Sequence, residues 1–158
     1  PPVTGNPAYF CQPQRTGVAV YCNAPDRVAY ACRLLRKAVS SGAKIVVTGL
    51  PDTLQQLDAE LWTFSATDFV PHCLLDSEAA LVAASPVILA ASLAVVPHMQ
   101  VLLNLGPLVP GGFERFERVI EVVCLDDEDR QLARGRWKHY ADRGYAITRH
   151  DLALKTSP

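Results

Sequence analysis

Five short runs rich in Val, Ile and Leu limit what this chain can fold into: "GVAVYC" (17–22), "KIVVTG" (44–49), "PVILAAS" (86–92), "MQVLLNLG" (99–106) and "VIEVVCL" (119–125). Each has strand length and is apolar at successive positions rather than alternate ones. That is the pattern of strands covered on both faces, as in a parallel sheet flanked by helices. Helical patterns lie between the runs. In "PDRVAYACRLLRKAVSSG", Val28, Cys32, Leu35 and Val39 share one stripe, Asp26 stands at the start and Gly42 is placed for a C-terminal cap. In "PDTLQQLDAELW", Leu54, Leu57 and Leu61 share another, "FERF" reads as a short helical turn, and residues 127–143 form a last helix. The order predicts a single α/β domain over 13–158, with a mostly parallel sheet of five strands or slightly more and helices on both faces. Residues 1–12, which include "PPVTGNP" and no signal-peptide pattern, are expected to be a loose N-terminal segment.

Several function classes drop out. The stretch from Ala79 to Phe113 carries no formal charge, but Pro86, Pro97, Pro107 and Pro110 divide it, and its longest apolar run, Val87 to Val96, is ten residues. A membrane-spanning helix needs about 20, so buried strands are expected there instead. The five cysteines (Cys11, Cys22, Cys32, Cys73, Cys124) are odd in number and form no CxxC pair, which fits reduced thiols in a cytoplasmic protein. Neither the turn after the first strand, "CNAPD", nor the turn after the second, "TGLPDT", is a phosphate-binding glycine loop. The chain also lacks GxSxG, HExxH and paired-carboxylate motifs, and its four histidines are scattered. No catalytic site, metal or cofactor is expected.

The remaining signal is electrostatic. The formal charge is −1, yet "RQLARGRWKHYADRGY" (130–145) holds five of the fifteen Lys and Arg residues beside Trp137, Tyr140 and Tyr145. At about 100° per residue, Arg130, Arg134, Trp137 and Ala141 fall within roughly 60° of one another, with Lys138 at the edge. Leu132, Ala133 and Tyr140 form a separate, core-facing sector, and Arg136 falls among them as a snorkelling side chain. "DDED" (126–129) precedes the helix, where carboxylates suit the positive end of its dipole. The plain alternative is a solvated face with dipole-compatible charges. The sharper reading is a shallow apolar pocket, built on Trp137 and Ala141 and rimmed by cations, that takes a peptide end bearing a carboxylate.

"LDAELWTFSATDFVPH" (57–72), "VLLNLG" (101–106), "FERFERVIEVV" (113–123) and "RQLARGRWKHYADRGY", in this order and in a chain of this length, resemble the chi subunit of bacterial DNA polymerase III holoenzyme. The likeness implies a Rossmann-like, non-catalytic accessory protein of the clamp loader. It implies two partners: a psi-like subunit, and the acidic C-terminal tail of single-stranded DNA-binding protein, which ends in Phe with a free carboxylate. Tail binding carries over to Arg130, Arg134, Trp137 and Lys138. A second surface is expected at the exit of the second helix, where Trp62 sits about 100° round from the leucine stripe and Phe64 and Phe69 follow. Clustered aromatics suit an interface, although three aromatics capping the core are an equally ordinary arrangement. In the family, Trp62 and Phe69 match positions that contact psi or, alternatively, a helicase. No strong direct DNA binding and no membrane partner are expected. The alternative function is a single-stranded nucleic-acid-binding module using the same basic–aromatic helix, which the net charge of −1 disfavours.

Overall fold

A parallel sheet must be covered on both faces, and the strands of this chain supply apolar side chains to both. The structure, a computed structural model, describes residues 16–63 and 70–155. Its strands are β1 (Gly17–Ala24), β2 (Ile45–Thr48), β3 (His72–Leu74), β4 (Val87–Leu89), β5 (Val101–Asn104), β6 (Arg118–Cys124) and β7 (Ile147–Asp151). They form one sheet in the order β3-β4-β2-β5-β6-β1-β7, every neighbouring pair parallel. Successive residues go to opposite cores: Ile45 and Val47 join one cluster while Val46 joins the other.

The helices are α1 (Arg27–Ser40), α2 (Pro51–Thr63), α3 (Ala79–Ala84), α4 (Asp127–Asp142) and the single turn α5 (Leu152–Lys155). Val28, Cys32 and Leu35 of α1 and Leu54, Leu57 and Leu61 of α2 are buried in the first core. Asp26 caps α1 by accepting from the Ala29 amide at 3.1 Å. At the other end Gly42, at φ +86°, turns the chain into the left-handed region. Its N–H reaches the Val39 carbonyl at 2.9 Å, and the Ala43 N–H reaches Ala38 at 3.0 Å. These two bonds satisfy carbonyls that the helix end would otherwise leave orphaned. The second core, on the opposite face, gathers Phe113, Phe116 and Tyr140. Phe113 meets Tyr140 and Tyr145 edge-on, each at 5.1 Å between ring centroids.

The α/β class, the parallel sheet and the helices on both faces are as the sequence leads one to expect, but the sheet has seven strands rather than five. The two extra strands, β3 and β7, are its edges. "HCL" is only three residues long and "ITRHD" is largely polar, so neither carries the continuous apolar signal of a covered strand. The strand order also departs from the 3-2-1-4-5-6 order of dinucleotide-binding domains. The uncharged stretch 79–113 is not all buried strand. It contributes α3, β4, β5 and a 3-10 turn over Phe113–Arg115, while Leu81, Val95 and Leu108 lie exposed. Among the described residues no helix is long and apolar enough to cross a membrane. Cys22, Cys32, Cys73 and Cys124 are free thiols; burial, with Glu60 and Asp26 nearby, pushes the Cys32 thiol up to about 11. Cys11 lies outside the described residues.

A buried ion pair joins the sheet to α4. Arg136 Nε donates to Glu121 Oε1 at 2.8 Å, and the two side chains are 5 % and 3 % exposed. Tyr140 O–H and Asn104 Nδ2 donate to Glu121 Oε2 at 2.6 and 2.9 Å. A second Arg136 nitrogen reaches the Pro107 carbonyl at 3.0 Å. Burial pushes the Glu121 carboxyl above the usual range, and Arg136, Asn104 and Tyr140 pull it back. Arg136 therefore does not snorkel; it lies inside the second core. Removing one member of a satisfied buried pair strands the other. Arg136→Met or Glu121→Gln alone is expected to cost about 3–5 kcal/mol, whereas the double variant Glu121→Gln/Arg136→Met, which keeps an acceptor for Tyr140 and Asn104, should cost less than the sum of the two. Urea unfolding of all four proteins checks this, and a double variant whose loss equals the sum of the single losses would remove the coupling.

Candidate functional site

The position of α4 follows from the strand order. It connects β6 to β7, and β1 lies between those strands, so the connection passes over β1. The helix is started by its acids. Asp126 caps it by accepting from the Asp129 amide at 3.0 Å. Asp129 accepts from the Cys124 amide at 2.7 Å and pairs with Arg27 of α1. Asp127, Glu128 and Asp129 fill the first turn, where the dipole favours negative charge.

Beside α4 runs a groove of about 640 Å³. The helix contributes Arg130, Ala133, Arg134 and Trp137, and the sheet contributes Val20, Cys22 and Asn23 of β1, Val123 of β6 and Arg149 of β7. The cations are not equivalent. Asn23 sits at φ +64°, a conformation Asn tolerates better than most residues. Its Oδ1 accepts from Arg130 at 2.9 Å, and its Nδ2 donates to Asp151 at 2.8 Å. Arg149 stands 3.7 Å from Asp151. Arg134 makes no ion pair or side-chain hydrogen bond among the described residues and is exposed. Trp137 is 36 % exposed, so its ring forms part of the wall while keeping one side open.

The structure brings together three of the four residues expected on this helix: Arg130, Arg134 and Trp137. Lys138 lies outside the lining, 78 % exposed and 3.4 Å from Asp142 one turn on. Ala141 does not line the groove either; the small residue that does is Ala133. Leu132, expected on the core face, is 39 % exposed, because the core position on that side of α4 is taken by Arg136 reaching Glu121. Sequence reasoning missed Arg149 and Asn23. A residue on an unrecognised edge strand and a lone Asn at a strand end give little local signal, although Asn followed by "APD" marks a chain reversal.

The second expected surface is described only in part. Trp62 is 61 % exposed at the end of α2. It meets His72 edge-on at 5.3 Å, and His72 is held between the Val70 carbonyl at 2.7 Å and Asp58 at 2.9 Å. The ring therefore stands on a fixed, buried support. Phe64 and Phe69 lie outside the described residues.

An all-parallel α/β domain with a cation-rimmed, aromatic-walled groove beside its last long helix is the class that fold and site define. The chain belongs to the DNA polymerase III chi subunit family. The family model described as "DNA polymerase III chi subunit, HolC" matches residues 16–148. The DNA polymerase III subunit chi of Pseudomonas aeruginosa is 32 % identical over 127 residues, covering 80 % of this chain and 87 % of that protein. Membership makes the chain an accessory subunit of the polymerase III holoenzyme, acting in DNA replication with other replication proteins.

Because Trp62 is mostly exposed, Trp62→Ala should leave the fold standing, with a loss of stability below about 1 kcal/mol, against the 3–5 kcal/mol that truncating a buried Trp costs. Thermal unfolding followed by circular dichroism measures this. A loss in the buried range would make Trp62 a core residue.

Proposed function

We propose that this chain is a non-catalytic connector of the replication machinery. Its three-layer, Rossmann-like architecture serves as a scaffold in the cytoplasm rather than as a nucleotide site. Through the α4 groove it takes the acidic C-terminal tail of single-stranded DNA-binding protein. Through the Trp62 surface, with Phe64 and Phe69, it docks a psi-like subunit of the clamp loader or a helicase.

One observation carries the tail reading. The α4 groove sets an Arg with no partner among the described residues beside a half-open Trp and an apolar wall of Val20, Val123 and Ala133, and none of the described residues lining it is a carboxylate. A peptide end offers the complement: a terminal carboxylate for Arg134, an aromatic side chain for Trp137 and the wall, and acids for the rim. Arg130 and Arg149, each tied to a neighbour, hold their charges in place, and Lys138 steers from outside the lining. Guanidinium grips carboxylate through paired, charge-assisted bonds.

Arg134→Ala is expected to cost at least about 1.4 kcal/mol of binding, a roughly tenfold weaker Kd, in a titration with the tail peptide. Amidating the terminus or deleting the last Phe should remove the part of the affinity that Arg134→Ala also removes, and rising salt should weaken what remains. Equal binding of native and amidated tails would eliminate the carboxylate pocket. Tight binding of oligo-dT through the same residues would favour the nucleic-acid alternative.

Trp62→Ala and Phe69→Ala should each weaken capture of a psi-like or helicase partner while tail affinity stays within twofold of wild type. A surface plasmon resonance assay with both ligands separates the two effects. Loss of both interactions together would mean that the two surfaces are not independent.

A further inference from the structure

A second groove lies on the opposite face of the sheet, where the connection from β1 to β2 carries α1 past β6 and β5. It measures about 490 Å³, within the size range of built ligand sites. Its floor includes Tyr21 of β1, Ile120 of β6 and Tyr30 of α1, and its rim carries Arg33 and Lys37 of α1 facing Arg118 of β6. Among the described residues no Asp or Glu lines it. We propose that this α1 groove binds an extended acidic peptide segment, independently of the α4 groove and without need of a free C-terminus.

Charge complementarity argues for an acidic occupant. Arg33, Lys37 and Arg118 are exposed, and none of them makes an ion pair with a described residue. Arg33 instead lies over the Tyr30 ring, 5.7 Å from its centroid. In a chain of formal charge −1, three cations around one apolar floor with no carboxylate of the described residues among them leave a local positive charge. Arg33 and Lys37 stand one helical turn apart, about 6 Å between their β-carbons. Acids two positions apart on an extended chain, roughly 7 Å, meet that spacing. Between them the backbone and its apolar side chains lie against Ile120 and the tyrosines. The Tyr30 phenol, like any tyrosine, keeps its proton at neutral pH and offers an O–H donor to a carboxylate; burial and Tyr21 push it further in that direction.

The same rings argue against a nucleic-acid strand. Base stacking needs an open aromatic face. One face of Tyr21 is covered by His150, 4.5 Å away and within 15° of parallel, and its flank meets Tyr30 at 5.7 Å. Tyr30 in turn carries Arg33. His150 and Arg33 thus already occupy part of the ring surface that a base would stack on.

The test uses the full chain and a rhodamine-labelled, C-terminally amidated hexapeptide of alternating Asp and Leu, read by fluorescence anisotropy at low salt. The amidated end keeps the probe from using a carboxylate-specific pocket. The paired reversal Arg33→Glu/Lys37→Glu, and Arg118→Glu alone, are each expected to weaken binding at least tenfold, while Arg134→Ala leaves it unchanged. Circular dichroism confirms the fold of each variant, and Gln replaces Glu at any position where the reversal unfolds the chain. Failure of the peptide to bind, or normal binding by the reversed variants, overturns the proposal. Loss of binding in Arg134→Ala would instead place the peptide in the α4 groove. Displacement of the probe by an oligo-dT hexamer at lower concentration than by unlabelled peptide would assign the surface to nucleic acid.

Discussion

The ion pair between Glu121 and Arg136 governs how the rest of the molecule is arranged. A carboxylate and a guanidinium taken out of water are tolerable only when each finds its partner and its remaining hydrogen bonds. Here β6 supplies the carboxylate and α4 the guanidinium, with Tyr140 and Asn104 as further donors. The Pro107 carbonyl brings in the loop after β5. Few rotations of α4 satisfy all of these groups at once. With Arg136 turned inward, Arg130, Ala133, Arg134 and Trp137 lie about 60–160° further round the helix, which is the side facing the groove. The polar pair inside the core thus sets the geometry of the cations outside it.

Strand order then decides where concave surface can exist. A helix that crosses between non-adjacent strands cannot cover every strand it passes equally, and the uncovered margin becomes a groove. The β6-to-β7 connection leaves such a margin over β1, and the β1-to-β2 connection leaves another over β5 and β6. Both margins carry cations without carboxylates among their lining residues, although the chain as a whole is slightly acidic. The acids are spent elsewhere: Asp126 and Asp129 at the start of α4, Glu121 in the core and Asp58 beneath Trp62. Net charge therefore describes neither groove, and a field confined to about one screening length around each is what a partner meets.

The same physics explains which features were legible in the sequence. Central strands covered on both faces announce themselves as unbroken Val, Ile and Leu runs, so β1, β2, β4, β5 and β6 could be found, as could the stripes of α1 and α2. Edge strands need no such covering, and β3 and β7 were missed. A helical wheel placed Arg130, Arg134 and Trp137 on one side correctly because that depends only on angular spacing. It could not tell that Arg136 points inward, since that depends on Glu121 arriving from a strand fifteen residues earlier. The lone Glu inside "VIEVV" was the available clue: an acid in a covered strand needs a buried partner. The α1 groove was invisible for a related reason, because Arg33 and Lys37 meet Arg118 only through the fold.

The placement of β1 also bears on how the chain reaches this structure during synthesis. Its two sheet neighbours are β6 and β7, with Gly17 opposite Arg118 and Val18 opposite Ile147. Once made, β1 must therefore wait about a hundred residues for β6 and longer for β7, and both of its hydrogen-bonding edges stay open meanwhile. At roughly 5–20 residues per second, that interval lasts several seconds or more. Contacts of such long sequence separation slow folding, and unpaired apolar strands invite association. Nascent chains are thus at their most vulnerable in the interval before β6 and β7 emerge, when β2, β4 and β5 can already pair and β1 cannot.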